Sequence, residues 1–192
     1  MIELYVFISI VIIIMLERFK QNSVQSDNEF QVMVFYIYSV FFHELAHYVT
    51  SMILLGRPSG MTIVPQRNEY TFNDGTKHVM WEFGSVNHNN ANFINAFYIG
   101  LSPLFLIFLA YFIYSNFFYY FEPTGLNIIL LHLLVFVLVS NSLPSSVDFK
   151  LAFKYLYGVA LNMSFIGIAY IYFPTIQGVF YETKSLINSV IF

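Results

Sequence analysis

The stretch that decides the fold is Gln31–Leu55, QVMVFYIYSVFFHELAHYVTSMILL, an apolar run interrupted at its centre by Phe42-His43-Glu44-Leu45-Ala46-His47-Tyr48. A helix needs roughly 20 apolar residues to cross a hydrocarbon core about 30 Å thick, and this run has them. Ionisable groups at mid-membrane depth cost several kcal/mol each, so three together point to function rather than packing. H-E-x-x-H places His43 and His47 one turn apart on one helix face, close enough to share a Zn2+. Glu44 lies beside that face, where it can take a proton from an activated water.

Further apolar runs follow the same length rule: Phe93–Phe121, Leu126–Leu143 and Leu151–Tyr181, the last with room for tilt or a break at Pro174. Ile2–Leu16 is shorter. Glu3 stands where a signal peptide would be basic, and no small-x-small cleavage site follows, so it reads as a retained anchor helix. The expectation is an all-α integral membrane protein of about five transmembrane helices, one membrane domain over 1–192. Its core is 31–150, with the anchor helix and a loop in 1–30 and an extra helix in 151–192. Composition agrees: of 192 residues 58% are hydrophobic, 20% aromatic and 10% charged, with mean hydropathy +0.66 and net charge −3. A soluble domain is about 25% charged. A soluble enzyme, a disordered chain and a nucleic-acid platform are therefore poor readings, and the expected partner is the lipid bilayer. With zero Cys, disulfide scaffolds, thiolate metal sites and Cys nucleophiles drop out.

The long polar segment Gly56–Asn92 reads as strand. Asp74-Gly75 between Glu69–Asn73 and Thr76–Phe83 is a two-residue hairpin signal, because both central positions favour positive φ. A β-hairpin with one aromatic face is thus expected between the second and third helices. In short loops, Arg57, Arg67, Lys77, Lys150 and Lys154 fall on one side, against Arg18, Lys20 and Lys184 on the other. That bias puts loop 56–92 in the cytoplasm.

Two His make an incomplete site, since a catalytic zinc usually has three protein ligands. Asp148 stands out in Asn141-Ser142-Leu143-Pro144-Ser145-Ser146-Val147-Asp148, where Pro144 breaks the helix and a carboxylate can turn back toward the metal. Read alone, it is equally an ordinary helix-end acid beside Lys150. Of the other histidines, His132 reads as an interhelical hydrogen-bonding group, and His78 and His88 as solvated loop residues.

His43-Glu44-Leu45-Ala46-His47, followed two spans later by Asn141-x-x-Pro144 and Asp148, resembles the site-2 protease family of intramembrane zinc metalloproteases. Gly100-Leu101-Ser102-Pro103 is similar to that family's Gly-Pro-containing segment. The resemblance covers Gln31–Lys150. This chain has Val147-Asp148-Phe149 where the family commonly has Leu-Asp-Gly, its Asp lies one residue nearer the Pro, and no PDZ module is inserted.

The resemblance implies one zinc per chain, held by His43, His47 and Asp148, with Glu44 as general base. It implies that Asn141 hydrogen-bonds the substrate or the oxyanion; on its residue type alone, Asn141 is equally a polar helix–helix contact. The substrate would be a transmembrane or membrane-anchored protein, cut in or near its span. The strands Glu69–Asn73 and Thr76–Phe83 could capture the unwound segment by adding a strand. Small size without extra domains points to a prokaryotic plasma-membrane protein. Two other readings compete: a membrane H-E-x-x-H protease with a Glu third ligand, for which Glu122 and Glu182 lie only at span ends, and a catalytically inactive relative that binds membrane proteins as a scaffold.

Overall fold

The structure, a computed structural model, describes residues 2–25, 29–71 and 77–191, and the side chains of 2–24, 29–69 and 81–174. The chain is mostly helical. Helix α1 (Ile2–Gln25) leads into α2 (Glu29–Ile53), and four strands follow: β1 (Pro58–Thr62), β2 (Gln66–Thr71), β3 (Lys77–Glu82) and β4 (Ser85–His88). Then come α3 (Ala96–Gly100), a 3-10 turn (Ser102–Leu104), α4 (Phe105–Tyr120), α5 (Gly125–Ser140), α6 (Ser146–Ala152) and α7 (Leu156–Ile191).

Three helical segments are long and apolar enough to cross a membrane: Glu29–Ile53, Ser102–Tyr120 and Leu156–Pro174. Five such spans are not shown. The apolar helix Gly125–Ser140 is shorter, and α1 carries Glu3, Glu17, Arg18 and Lys20. The third expected span is not one helix. It breaks between Gly100 and Phe105, where Pro103 lacks the N–H that an α-helical bond would need. The last expected span also divides, since Leu151 belongs to α6 and α7 begins at Leu156. At Pro174 the helix continues rather than breaking.

Helix α2 is the axis of the molecule, packing against α1, α3, α5, β1 and β4. Its buried positions, Val32, Ser39, Val40, Glu44, His47 and Ser51, recur at helical spacing, whereas Phe41, Val49, Met52 and Ile53 are exposed. The inward stripe is therefore largely small or polar and the outward one apolar, the pattern expected when the surroundings are lipid. Leu106 and Ala110 of α4 and Leu138 of α5 form a core that Phe42 and Ala46 of α2 pack against.

The strands extend the expected hairpin. β2 pairs with β3 antiparallel from Gln66↔Glu82 to Thr71↔Lys77, and β1 pairs with β4 below it. The turn Asp74-Gly75, with Phe72, Asn73 and Thr76, lies outside the described residues. The aromatic face expected on this hairpin falls on Tyr70, Phe72 and Val79, whose side chains lie outside the described ones. Phe83 stacks on Tyr36 of α2, with ring centroids 4.4 Å apart.

Candidate metal centre

His43 and His47 project from α2 and meet Asp148 of α6. The two Nε2 atoms are 3.3 Å apart. Asp148 Oδ2 lies 3.1 Å from His43 Nε2, and Oδ1 lies 3.0 Å from His47 Nε2. Tetrahedral zinc with bonds of about 2.0–2.2 Å has ligand–ligand edges of roughly 3.3–3.5 Å, so the triangle is within a few tenths of a closed site. Among the described residues this is the group of side chains that can hold a metal ion.

What lies behind the ligands fixes their chemistry. His43 Nδ1 is 3.0 Å from the Asn141 carbonyl, and His47 Nδ1 is 2.8 Å from the Ile99 carbonyl. A carbonyl only accepts, so both Nδ1 atoms carry the hydrogen and each neutral ring presents a bare lone pair at Nε2. Two such lone pairs and a carboxylate facing one another repel unless a proton or a metal ion sits between them. A metal ion satisfies all three at once.

The sequence builds this arrangement locally. Helix α5 ends at Ser140, and Asn141 turns its carbonyl to His43. Pro144 precedes Ser145, which caps α6: its hydroxyl accepts from the Asp148 N–H at 3.2 Å, while Asp148 Oδ2 accepts from the Ser145 N–H at 2.6 Å. This reciprocal capping box holds the carboxylate toward α2 in a chain that has Phe149 after the Asp. On the other side, Ile99 supplies its carbonyl from the end of α3, and Ser102 Oγ sits 3.0 Å from His47 Nδ1 while donating to that same carbonyl. The Gly100–Pro103 break thus has a specific consequence: it turns backbone and hydroxyl toward a ligand.

Gly100 also sets the spacing of α3 and α6. A Cβ there would lie 2.5 Å from the Asp148 carbonyl oxygen and 2.6 Å from the Ala152 nitrogen, both backbone atoms that cannot step aside alone. Gly100→Ala is expected to push α6 and its carboxylate away from α2. Overpacking of this kind costs about 1–3 kcal/mol. Elemental analysis after equilibration with Zn2+ should find well under the wild-type metal content, with a lowered Tm. Unchanged values of both would show that this contact does not position Asp148.

Glu44 is 8% exposed and makes no hydrogen bond or ion pair with the described residues. Gly84, at φ +139°, allows the strand connection to pass it; a Cβ at Gly84 would lie 3.0 Å from Glu44 Oε1. Both border a cavity of about 820 Å³ with His43, His47, Asn141 and Asp148 in its wall, large enough for an extended peptide segment. Asn68, Trp81, Glu82 and Phe83 line the same cavity from the strand side.

Asn141 is placed differently from a free oxyanion donor. Its Oδ1 bonds Ser39 Oγ, and its Nδ2 reaches Val137 O at 2.6 Å and Ser140 Oγ at 3.3 Å. Lys20 of α1 in turn reaches Ser39 at 3.4 Å, which ties the first helix to the site. His132 bonds the Ile128 carbonyl of its own helix at 2.7 Å, so the expected interhelical bond is replaced by one within α5. The His78 side chain lies outside the described residues.

His88 corrects the sequence reading outright. It is the last residue of β4, not a solvated loop residue; its ring stands 6.3 Å from that of His47 and lines the cavity. Burial holds it below the usual histidine range, with the Asp148 carboxylate opposing. The missed signal was Ser85-Val86-Asn87-His88 pairing back to Pro58–Thr62, a contact between residues far apart in sequence. The asparagines after it are also engaged: Asn90 and Asn95 donate to the Leu55 and Leu54 carbonyls at the end of α2.

No family model, no curated protein and no solved structure matches the chain.

Proposed function

We propose that this chain is an intramembrane zinc metalloprotease, hydrolysing peptide bonds in or near the transmembrane segments of membrane-anchored proteins. The observation that carries the reading is the pairing of a convergent His-His-Asp triangle with a buried carboxylate, Glu44, that has no hydrogen-bond or ion-pair partner among the described residues and lines the same cavity. A scaffold that only binds zinc has no use for that carboxylate.

His43, His47 and Asp148 would hold the zinc. When bound, zinc supplies acidified water and polarisation of the peptide carbonyl. Glu44 takes the proton of the attacking water and delivers it to the leaving amine. For Asn141 to bond substrate, as the resemblance implies, its amide must exchange Val137 O or Ser140 Oγ for the peptide. The substrate helix must unwind before attack, because its peptide groups are hydrogen-bonded internally. In this reading β2 and β3 receive it: each pairs only with the other among the described residues, leaving an outer edge for an extended segment beside the cavity. The hairpin side is cytoplasmic on the Lys/Arg bias.

The test uses a synthetic apolar span of about 20 residues, long enough to cross the bilayer. It carries a central Asn-Gly helix break, with a fluorophore and quencher on its flanks, and is mixed with purified protein in detergent micelles. Hydrolysis should stop on zinc removal by 1,10-phenanthroline and return when stoichiometric Zn2+ is added back. Turnover that survives complete zinc removal would overturn the reading. Bound zinc with no hydrolysis would favour the scaffold.

A further inference from the structure

On α2, His43, His47 and Ser51 follow one another at i, i+4 and i+8, so the metal-facing row ends in a hydroxyl one turn beyond the second histidine. Ser51 is fully buried, and its Oγ lies 3.0 Å from His88 Nδ1. This is the one hydrogen bond of that hydroxyl among the described residues. A buried O–H left without an acceptor is costly, so Ser51 donates and His88 Nδ1 accepts. The neutral His88 ring must then carry its hydrogen on Nε2, at the ring edge away from Ser51. The chain reaches this position through left-handed residues at Leu55 (φ 57°) and Arg57 (φ 51°), which reverse it at the end of α2 and lay β1 and β4 against that helix. Non-glycine residues in that region are strained.

His88 is not part of the group whose ligand atoms lie within 4.8 Å of one another. It stands beside the metal ligands on the cavity wall rather than among them. Asn141 has its amide hydrogens engaged, whereas the His88 Nε2–H has no partner among the described residues. We propose that His88 is a catalytic residue of this site: its Nε2–H donates to the oxygen of the scissile carbonyl as negative charge develops there, and Ser51 is the positioning residue that fixes the tautomer. The inference rests on the peptidase reading above. A donor aimed where charge appears in the transition state acts on kcat rather than on substrate binding.

The experiment compares wild type, His88→Ala, His88→Gln, Ser51→Ala and Glu44→Gln in detergent on the fluorogenic apolar span, with zinc content and histidine 15N spectra for each. All variants should keep wild-type zinc. His88→Ala should lower kcat about a hundredfold with KM nearly unchanged, the size typical for loss of one oxyanion donor. His88→Gln, which keeps an N–H, should recover a large part of it. In the zinc-free wild type the 15N shifts should show His88 protonated at Nε2 and bare at Nδ1, a preference that Ser51→Ala removes. Full activity in His88→Ala, where Glu44→Gln is inactive, would overturn this inference alone. So would loss of zinc from His88→Ala, or a proton on Nδ1. Wild type no faster than Glu44→Gln would overturn the peptidase reading and this inference with it.

Discussion

Asp148→Ala is expected to leave the chain folded and nearly free of zinc. The wild-type protein should bind about one Zn2+ per chain, the number its three-ligand triangle accommodates. Removing the carboxylate leaves two imidazole nitrogens 3.3 Å apart with nothing to close the site. Losing even a group that only supports a ligand costs about 10–100-fold in metal affinity, so losing a ligand should cost at least the upper end of that range. Alanine also removes the partner of the Ser145 N–H, which weakens the cap of α6 by roughly 1 kcal/mol. Asp148→Asn separates the two effects: its carbonyl oxygen can still accept from Ser145, but it brings no charge to the metal. Both variants should therefore lose zinc, and only the alanine should lose measurable thermal stability. Elemental analysis on detergent-purified protein decides the matter. Full zinc in Asp148→Ala would reduce Asp148 to a helix cap and place the third ligand elsewhere.

Glu44→Gln should do the opposite, keeping the metal and losing the reaction. Glutamine matches glutamate in size, so the fit beside Gly84 is preserved and the helix stripe is undisturbed. What disappears is a carboxylate able to accept a proton from water and pass it on. General-base assistance is worth about 10²–10⁴ in rate, and kcat on the fluorogenic span should fall within that range at unchanged zinc content. A variant that retains activity would assign the proton transfer to another group, with Glu82 and Asp148 the other carboxylates in the cavity wall. The metal-loaded glutamine protein then serves as a trap: co-purification of an intact membrane protein with it, but not with wild type, would identify the substrate directly.

Much of the site is written locally in the chain. His43, Glu44 and His47 were legible because i, i+4 spacing within one helix fixes their relation before any tertiary contact exists, and because charge inside an apolar run demands a reason. Asp148 was legible in part. Pro144 and the serines announce a helix break, and Ser145 with Asp148 three residues on is a capping signature, but nothing local says which way the cap faces. The packing of α3 on α6 across Gly100 decides that. The strands show the opposite case: alternation within each was readable, but which residues pair across depends on register, and register depends on the partner strand.

The sequence by itself determined that this is a predominantly helical chain with apolar helices of membrane-crossing length, and that one of them carries a metal-binding pair with a carboxylate beside it. Helical period and hydropathy are properties of short windows, so a single chain suffices to read them. Only the tertiary structure decided that the backbone carbonyls of Asn141 and Ile99 orient the two imidazoles, and that His88 belongs to the cavity. Each of these joins residues about 50 to 100 positions apart or, for His88, lies on strands paired across the hairpin. Contacts of that kind leave no periodicity in the chain, because they are fixed by how elements pack and not by how any one of them is formed.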